Sequence, residues 1–294
     1  MTTQLASTSD EPQAPPPPQP SPLRAAWQTL VMEFRKYFST RMWWILLLVT
    51  LAWTAMNIIT MVLAVHFGGD QAADDNMVIP KGDDLARLLY SMGTTFGFVF
   101  PAIIGAMSVA GEYRHQTLTQ TLLADPVRWR VLSAKFVSTV PLGALYAVAV
   151  IVGCLLFGAL PLALLGDATA LGSGHTWQMF ARMVLAMVLW GLVGVGLGTL
   201  INNQMVAIVT LLSITMFLEP TLRSIPVLIG HDVPVLAYLP GALGDAVTGE
   251  SLYSMLGEFG VSLLSLGPAV IGLLVYSVGL TVAGYFLRFR RDVH

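Results

Sequence analysis

Cysteine is almost missing from this chain: Cys154, inside an apolar run, is the one thiol in 294 residues. A single thiol can neither close an internal disulfide nor build a metal cluster, and it reads as a small buried residue. Charge is scarce as well, at 11% of residues, against about 25% in an average soluble domain. The net charge of −2 gives no basic field for a nucleic acid. Lysine stands only at Lys36, Lys81 and Lys135, and none follows a glycine. The chain therefore has no G-x-x-x-x-G-K-[ST] loop with which to hold a nucleotide. It also lacks H-E-x-x-H and G-x-S-x-G, which removes the common zinc-protease and nucleophile-elbow readings. His66, His115, His175, His231 and His294 are scattered, with no metal-ligand spacing. No catalytic, cofactor-binding or metal site is expected.

What is abundant is apolar sequence. Hydrophobic residues make up 55% of the chain and the mean hydropathy is +0.71. A spanning helix needs about 20 apolar residues, because each adds about 1.5 Å to a crossing of about 30 Å. Six runs qualify: 43–65, 91–110, 136–160, 178–198, 201–218 and 268–287. The fifth needs residues 201–204 as an extra turn, and "NNQ" at 202–204 joins it to the fourth in a tight hairpin. The expected fold is an all-α integral membrane protein with six transmembrane helices. The first run is too long for a signal h-region and reads as a retained anchor.

Lysine and arginine set the orientation. With both ends in the cytoplasm, Arg24, Arg35, Lys36, Arg41, Arg114, Arg128, Arg130, Lys135, Arg288, Arg290 and Arg291 lie inside. Only Lys81, Arg87, Arg182 and Arg223 lie outside, along with the acidic loop 70–84. The expected location is the cell membrane. Residues 1–22 are proline-rich and read as a disordered cytoplasmic tail, matched by a short tail at 288–294. Residues 23–41 predict an amphipathic helix lying in the interface. Its Trp27, Leu30, Val31, Phe34 and Phe38 share one face, and Gln28, Thr29, Glu33, Lys36 and Thr40 the water-facing other. The loop 219–267 is apolar and rich in Gly and Pro, and reads equally as an exit gate or as a structural cap. Glu112, Arg182 and Glu219 stand at span margins, where side chains reach water. No acid sits mid-span, which disfavours a proton-coupled carrier.

Gly191, Gly194 and Gly198 share one face of the fourth run and permit close helix packing. Pro101 and Pro141 predict kinks in the second and third. Between those two runs lies the one dense patch of charge, "GEYRHQTLTQTLLADPVRWRVLSAK" at 111–135. Gln116–Ala124 predicts a short helix. Asp125-Pro126 stops it and opens the next, with Asp125 as N-cap. Arg128, Arg130 and Lys135 then reach the inner head groups. The outcome is a compact elbow joined to two spans. A plain solvated positive-inside loop is the alternative, and it leaves Glu112 and Tyr113 at the membrane edge unexplained.

This stretch resembles the signature of ATP-binding-cassette type-2 (ABC-2) permeases, E-[YF]-R-x-x-T-L followed by a Pro-Arg turn and a lysine opening the third span. Glu112, Tyr113, Arg114, Thr117, Leu118, Pro126, Arg128 and Lys135 match. That family often has Gly before the Thr, where this chain has Gln116. The resemblance implies the permease subunit of an exporter, with no cofactor in this chain and ATP–Mg held by a separate ATPase subunit. It further implies a cytoplasmic coupling helix between spans 2 and 3 that seats in that ATPase. It also implies a second permease chain, identical or paired, in the same bilayer. A secondary transporter or channel, and a membrane scaffold for a cytosolic partner, are the alternatives.

Overall fold

The structure is a computed structural model that describes residues 21–67, 80–114, 116–117, 121, 123, 125, 127–229, 233–250 and 263–289. The described residues are helical and irregular, with no strand among them. Helix α1 covers Pro22–Ser39. Six helices long and apolar enough to cross a membrane follow: α2 (Met42–His66), α3 (Asp83–Arg114), α4 (Arg128–Leu165), α5 (Gly174–Leu200), α6 (Gln204–Arg223) and, last in the chain, α9 (Leu266–Leu287). Between the last two lie α7 (Ile225–Ile229), a 3₁₀ turn over Pro234–Tyr238 and α8 (Pro240–Thr248).

The layering follows from which faces find protein. The apolar windows of α3 and α5 are 83% and 78% buried, while those of α2, α6 and α9 are 22% buried. The inner pair therefore forms the core, and the other spans leave most of their apolar surface for lipid or for another chain. Close approach of α3 and α5 is a matter of missing side chains. A Cβ on Gly194 would stand 2.0 Å from the carbonyl oxygen of Ala102, and one on Gly198 2.3 Å from that of Ala106. Gly191 faces the Thr139 methyl group on α4. The two backbones touch along this seam, which is how membrane helices gain dispersion contacts that lipid cannot match.

Several boundaries move relative to the apolar runs. Helix α3 begins at Asp83 rather than 91, and α4 spans Arg128–Leu165, or 38 residues. At about 1.5 Å per residue α4 is nearly twice the hydrocarbon thickness, so its first turns project beyond it. Residues 201–203 are not helical; α6 starts at Gln204 and instead runs on through Arg223. Asn203 caps it, its Oδ1 accepting from Met205 N at 3.0 Å and Val206 N at 3.3 Å. Helix α3 is interrupted at Phe98, three residues before Pro101, where the proline ring removes a backbone donor and crowds the preceding turn. Helix α4 continues through Pro141. Short π segments interrupt α4 at Leu155–Ala159 and α6 at Ser213–Leu218.

Two expectations about polarity fail. The middle of the polar stripe of α1 does not face water: Thr29 and Glu33 are each 2% exposed, although Gln28 and Thr40 are exposed, and so are Trp27 at 65% and Phe38 at 50%. The stripe is turned onto α4, and the aromatic face is left for the bilayer interface. Nor do two of the three charges at span margins reach water, since Glu112 and Glu219 are buried while Arg182 is partly exposed. Within 219–267, α8 is buried along its length and packs against α3, α5 and α9, so this part of the loop is inserted among the spans. Residues 251–262 lie outside the described residues.

Candidate coupling elbow

Helix α3 ends by a hydrogen-bonded cap that the sequence motif builds. The amide of Thr117 donates to the carbonyl of Glu112 at 3.0 Å, and that of Gln116 to Tyr113 at 3.3 Å. These six-to-one and five-to-two bonds form a Schellman cap, which requires a left-handed residue after the helix. Gln116 is that residue, with φ of 54°. The position at which related permeases often carry glycine is thus the one that needs glycine's backbone freedom, and here glutamine adopts it at a cost of about 1 kcal/mol or more.

Beyond the cap the chain turns helically again. Thr121 N donates to Thr117 O at 3.0 Å and Asp125 N to Thr121 O at 2.9 Å. Asp125 then organises the entry to α4, though not by capping at its own position. Helix α4 begins at Arg128, and Asp125 Oδ1 accepts from Val127 N at 3.1 Å and from Arg130 Nη1 at 3.1 Å. Its second oxygen accepts from Thr29 Oγ1 of α1 at 2.7 Å. Leu118 and Pro126, both expected here, lie outside the described residues, as do residues 119, 120, 122 and 124 of the expected short helix.

The centre of the elbow is a quartet of charges, buried at Glu33, Glu112 and Lys135 and open to solvent at Lys36. Lys135, expected near head groups, is 0% exposed. Its Nζ donates to Glu33 Oε2 at 2.8 Å, Glu112 Oε1 at 2.9 Å and the Ser108 carbonyl at 2.8 Å. Lys36 Nζ closes the square, 2.7 Å from Glu33 Oε1 and 2.6 Å from Glu112 Oε1, and adds Thr121 Oγ1 at 3.0 Å. Two carboxylates and two ammonium groups sum to zero, and each ammonium bridges both carboxylates. Pairing and hydrogen bonding of this kind are the condition for burying charge at all. Beside the quartet, burial raises the Tyr37 phenol above its ordinary pKa against the opposing pull of Lys135, so it stays neutral, 3.3 Å from Thr139 Oγ1.

The quartet ties α1, α3 and α4 into one body. Of the residues named from sequence, Glu112 is at its heart and Thr117 supplies the cap. Tyr113 packs on Leu132 with Tyr285. Arg114 is exposed, 3.5 Å from Gln204 Oε1, and lines a cavity of about 450 Å³ between α1, α3 and the start of α6. Arg128 opens α4. Glu33 and Lys36 are the residues that sequence reasoning missed, having assigned them to water. Their spacing of three, in line with Thr29, in a chain so poor in charge, was the available signal.

No curated protein matches this chain. The family model described as ABC-2 family transporter protein matches residues 29–218, which takes in most of α1, the elbow, the glycine seam and most of α6. The chain therefore belongs to the ABC-2 transporter family, as a multi-pass membrane protein with a transport permease role.

Proposed function

We propose that this chain is the membrane half of an ATP-driven exporter, and that a separate ATPase subunit docks on the elbow from the cytoplasm. ATP and Mg²⁺ would sit on that subunit. The carrying observation is the combination of a locked elbow with an uncovered apolar surface. The quartet and the Asp125 ties fix the elbow to α1, α3 and α4, so a push on it moves three helices together. Leu123 and Trp129 meanwhile stand 80% and 67% exposed at the same end. A rigid lever with a greasy contact patch is what force transmission from another protein needs. In this reading Glu112, Thr117, Tyr113 and Arg128 shape the lever, and Leu118 and Pro126 belong to it by position. The cytoplasmic placement of both ends follows from the lysine and arginine bias, whereas export and the cell membrane are taken from the family resemblance. The largely unburied apolar faces of α2 and α6 suit a second permease chain, identical or paired.

A cysteine cross-linker tests the docking. Leu123→Cys, at the elbow, should capture an ATP-binding polypeptide. Leu164→Cys, 79% exposed at the other end of α4, should not. Capture from neither position, or equally from both, overturns the proposal and favours an ion-driven carrier, a channel or a scaffold.

A further inference from the structure

At the end of α6 remote from the elbow, three charged side chains are buried: Glu219, 3% exposed, Arg223, 5%, and Asp245, 3%. They come from two elements. The π segment Ser213–Leu218 offsets the face of α6 and brings Thr215 and Glu219 to one wall. Asp245 arrives on the inserted helix α8. Arg223 Nη2 pairs with Asp245 Oδ2 at 2.9 Å. Glu219 Oε1 accepts from Ala242 N at 2.8 Å, in the first turn of α8. Its other oxygen, Oε2, is buried and has no hydrogen-bond partner.

That carboxylate lines a cavity of about 180 Å³, together with Thr95, Phe96, Phe98, Thr215 and Met216. The charged groups on its wall are Glu219, Asp245 and Arg223. The last two pair with each other, which leaves the Glu219 carboxyl on its own. The first turn of α8 donates to its Oε1 and leaves Oε2 without a donor at the cavity wall. A buried carboxyl oxygen without a donor calls for one from a ligand, and a cationic N–H group is the donor that also balances the charge of a carboxylate. Phenylalanine rings and a methionine on the wall suit an alkylated nitrogen better than a strongly hydrated metal ion, which asks for a shell of oxygens.

We infer that this cavity binds a primary ammonium or guanidinium group carried by a molecule crossing the protein, with Glu219 Oε2 as its acceptor. The inference deepens the permease role by giving the cargo a cationic nitrogen, and it does not depend on what drives transport. The threonine hydroxyls accept the remaining N–H bonds, and the aromatic faces cover the alkyl stem. The site lies beyond the glycine seam as seen from the elbow, so it is met late on a path that starts there.

The test is calorimetric titration of the purified full chain in lipid nanodiscs, without any ATPase, using n-butylammonium as the probe. Wild type should bind it saturably, and should bind neither n-butanol, which lacks the charge, nor tetrabutylammonium, which lacks N–H and exceeds the cavity. This selectivity needs no variant. Glu219→Gln should weaken binding on the order of tenfold to a hundredfold, the loss of one charge-assisted hydrogen bond. Asp84→Asn, exposed at the start of α3, should change nothing. Equal binding by Glu219→Gln, or equal binding of n-butanol, overturns the inference. So does full competition by sodium, which would make it an inorganic cation site. An infrared carboxylic-acid band that Glu219→Gln removes and n-butylammonium leaves in place would show a proton there instead, and would also overturn it. None of these results bears on whether an ATPase docks on the elbow.

Discussion

Replacing Lys135 by methionine removes one charge from the quartet and keeps the length of the side chain. Glu33 and Glu112 are then left with Lys36 alone, and the group carries a net negative charge. Nothing else near them replaces the lost donor: Lys135 contributes hydrogen bonds of 2.8, 2.9 and 2.8 Å to Glu33, Glu112 and Ser108. Removing one partner of a buried ion pair costs about 3–5 kcal/mol. The cheapest relief is for α1 to lift away from α4, since Glu33 rides on it and could then reach water, as the Lys36 side chain already does in part. A local opening of that size shifts the undocking equilibrium by about two to four orders of magnitude. Thr29→Cys reads it out, because Thr29, on the face of α1 turned to the elbow, is 2% exposed. A water-soluble maleimide should label this thiol slowly in the otherwise native chain and about two to four orders faster with Lys135→Met added. Cys154, 0% exposed, supplies the background. Adding Glu112→Gln to Lys135→Met restores neutrality, with Glu33 and Lys36 remaining, and should slow labelling again. Labelling that stays slow after Lys135→Met would refute the reasoning. A double variant that labels as fast as the single one would refute the charge argument in particular.

Other consequences can be checked separately. Gln116→Gly should raise thermal stability by about 1 kcal/mol by relieving the left-handed backbone, whereas Gln116→Val should lower it; melting in detergent distinguishes the two. Gly194→Ala places a methyl group on the Ala102 carbonyl and should cost about 1–3 kcal/mol. Gly279→Ala, where a Cβ meets nothing within 4 Å, should leave the melting temperature unchanged or higher. A cysteine at the exposed Lys81 should be labelled by an impermeant reagent in intact cells; labelling only after lysis would invert the orientation.

Much of the fold was legible in the sequence because the bilayer sets a length that few sequences meet by chance. The apolar runs mark the spans, and their ends move only where protein replaces lipid as the partner. Asp83 starts α3 early for that reason, since the residues before the apolar run pack on α2 and α8. The elbow could be located from one charged stretch in an apolar chain, yet its ties could not. A helical wheel shows that Thr29, Glu33 and Lys36 share a face, but a polar face looks the same whether it meets water or a buried lysine. The lysine that decides the matter is 102 positions from Glu33. Glu219 was misread for a similar cause. Its burial depends on α8, which returns from the following loop to cover it, and nothing in the local sequence of α6 announces that return.

The most direct test of the account is ATP hydrolysis by material purified on this chain in mild detergent, compared between wild type and Leu123→Asp. The variant places a charge on the exposed contact of the elbow and leaves the quartet untouched. Hydrolysis that accompanies the wild-type chain and is lost with Leu123→Asp, while both chains remain folded and inserted, is the predicted result. Absence of hydrolysis from the wild-type preparation, together with uphill transport by the chain alone on an ion gradient, would contradict it.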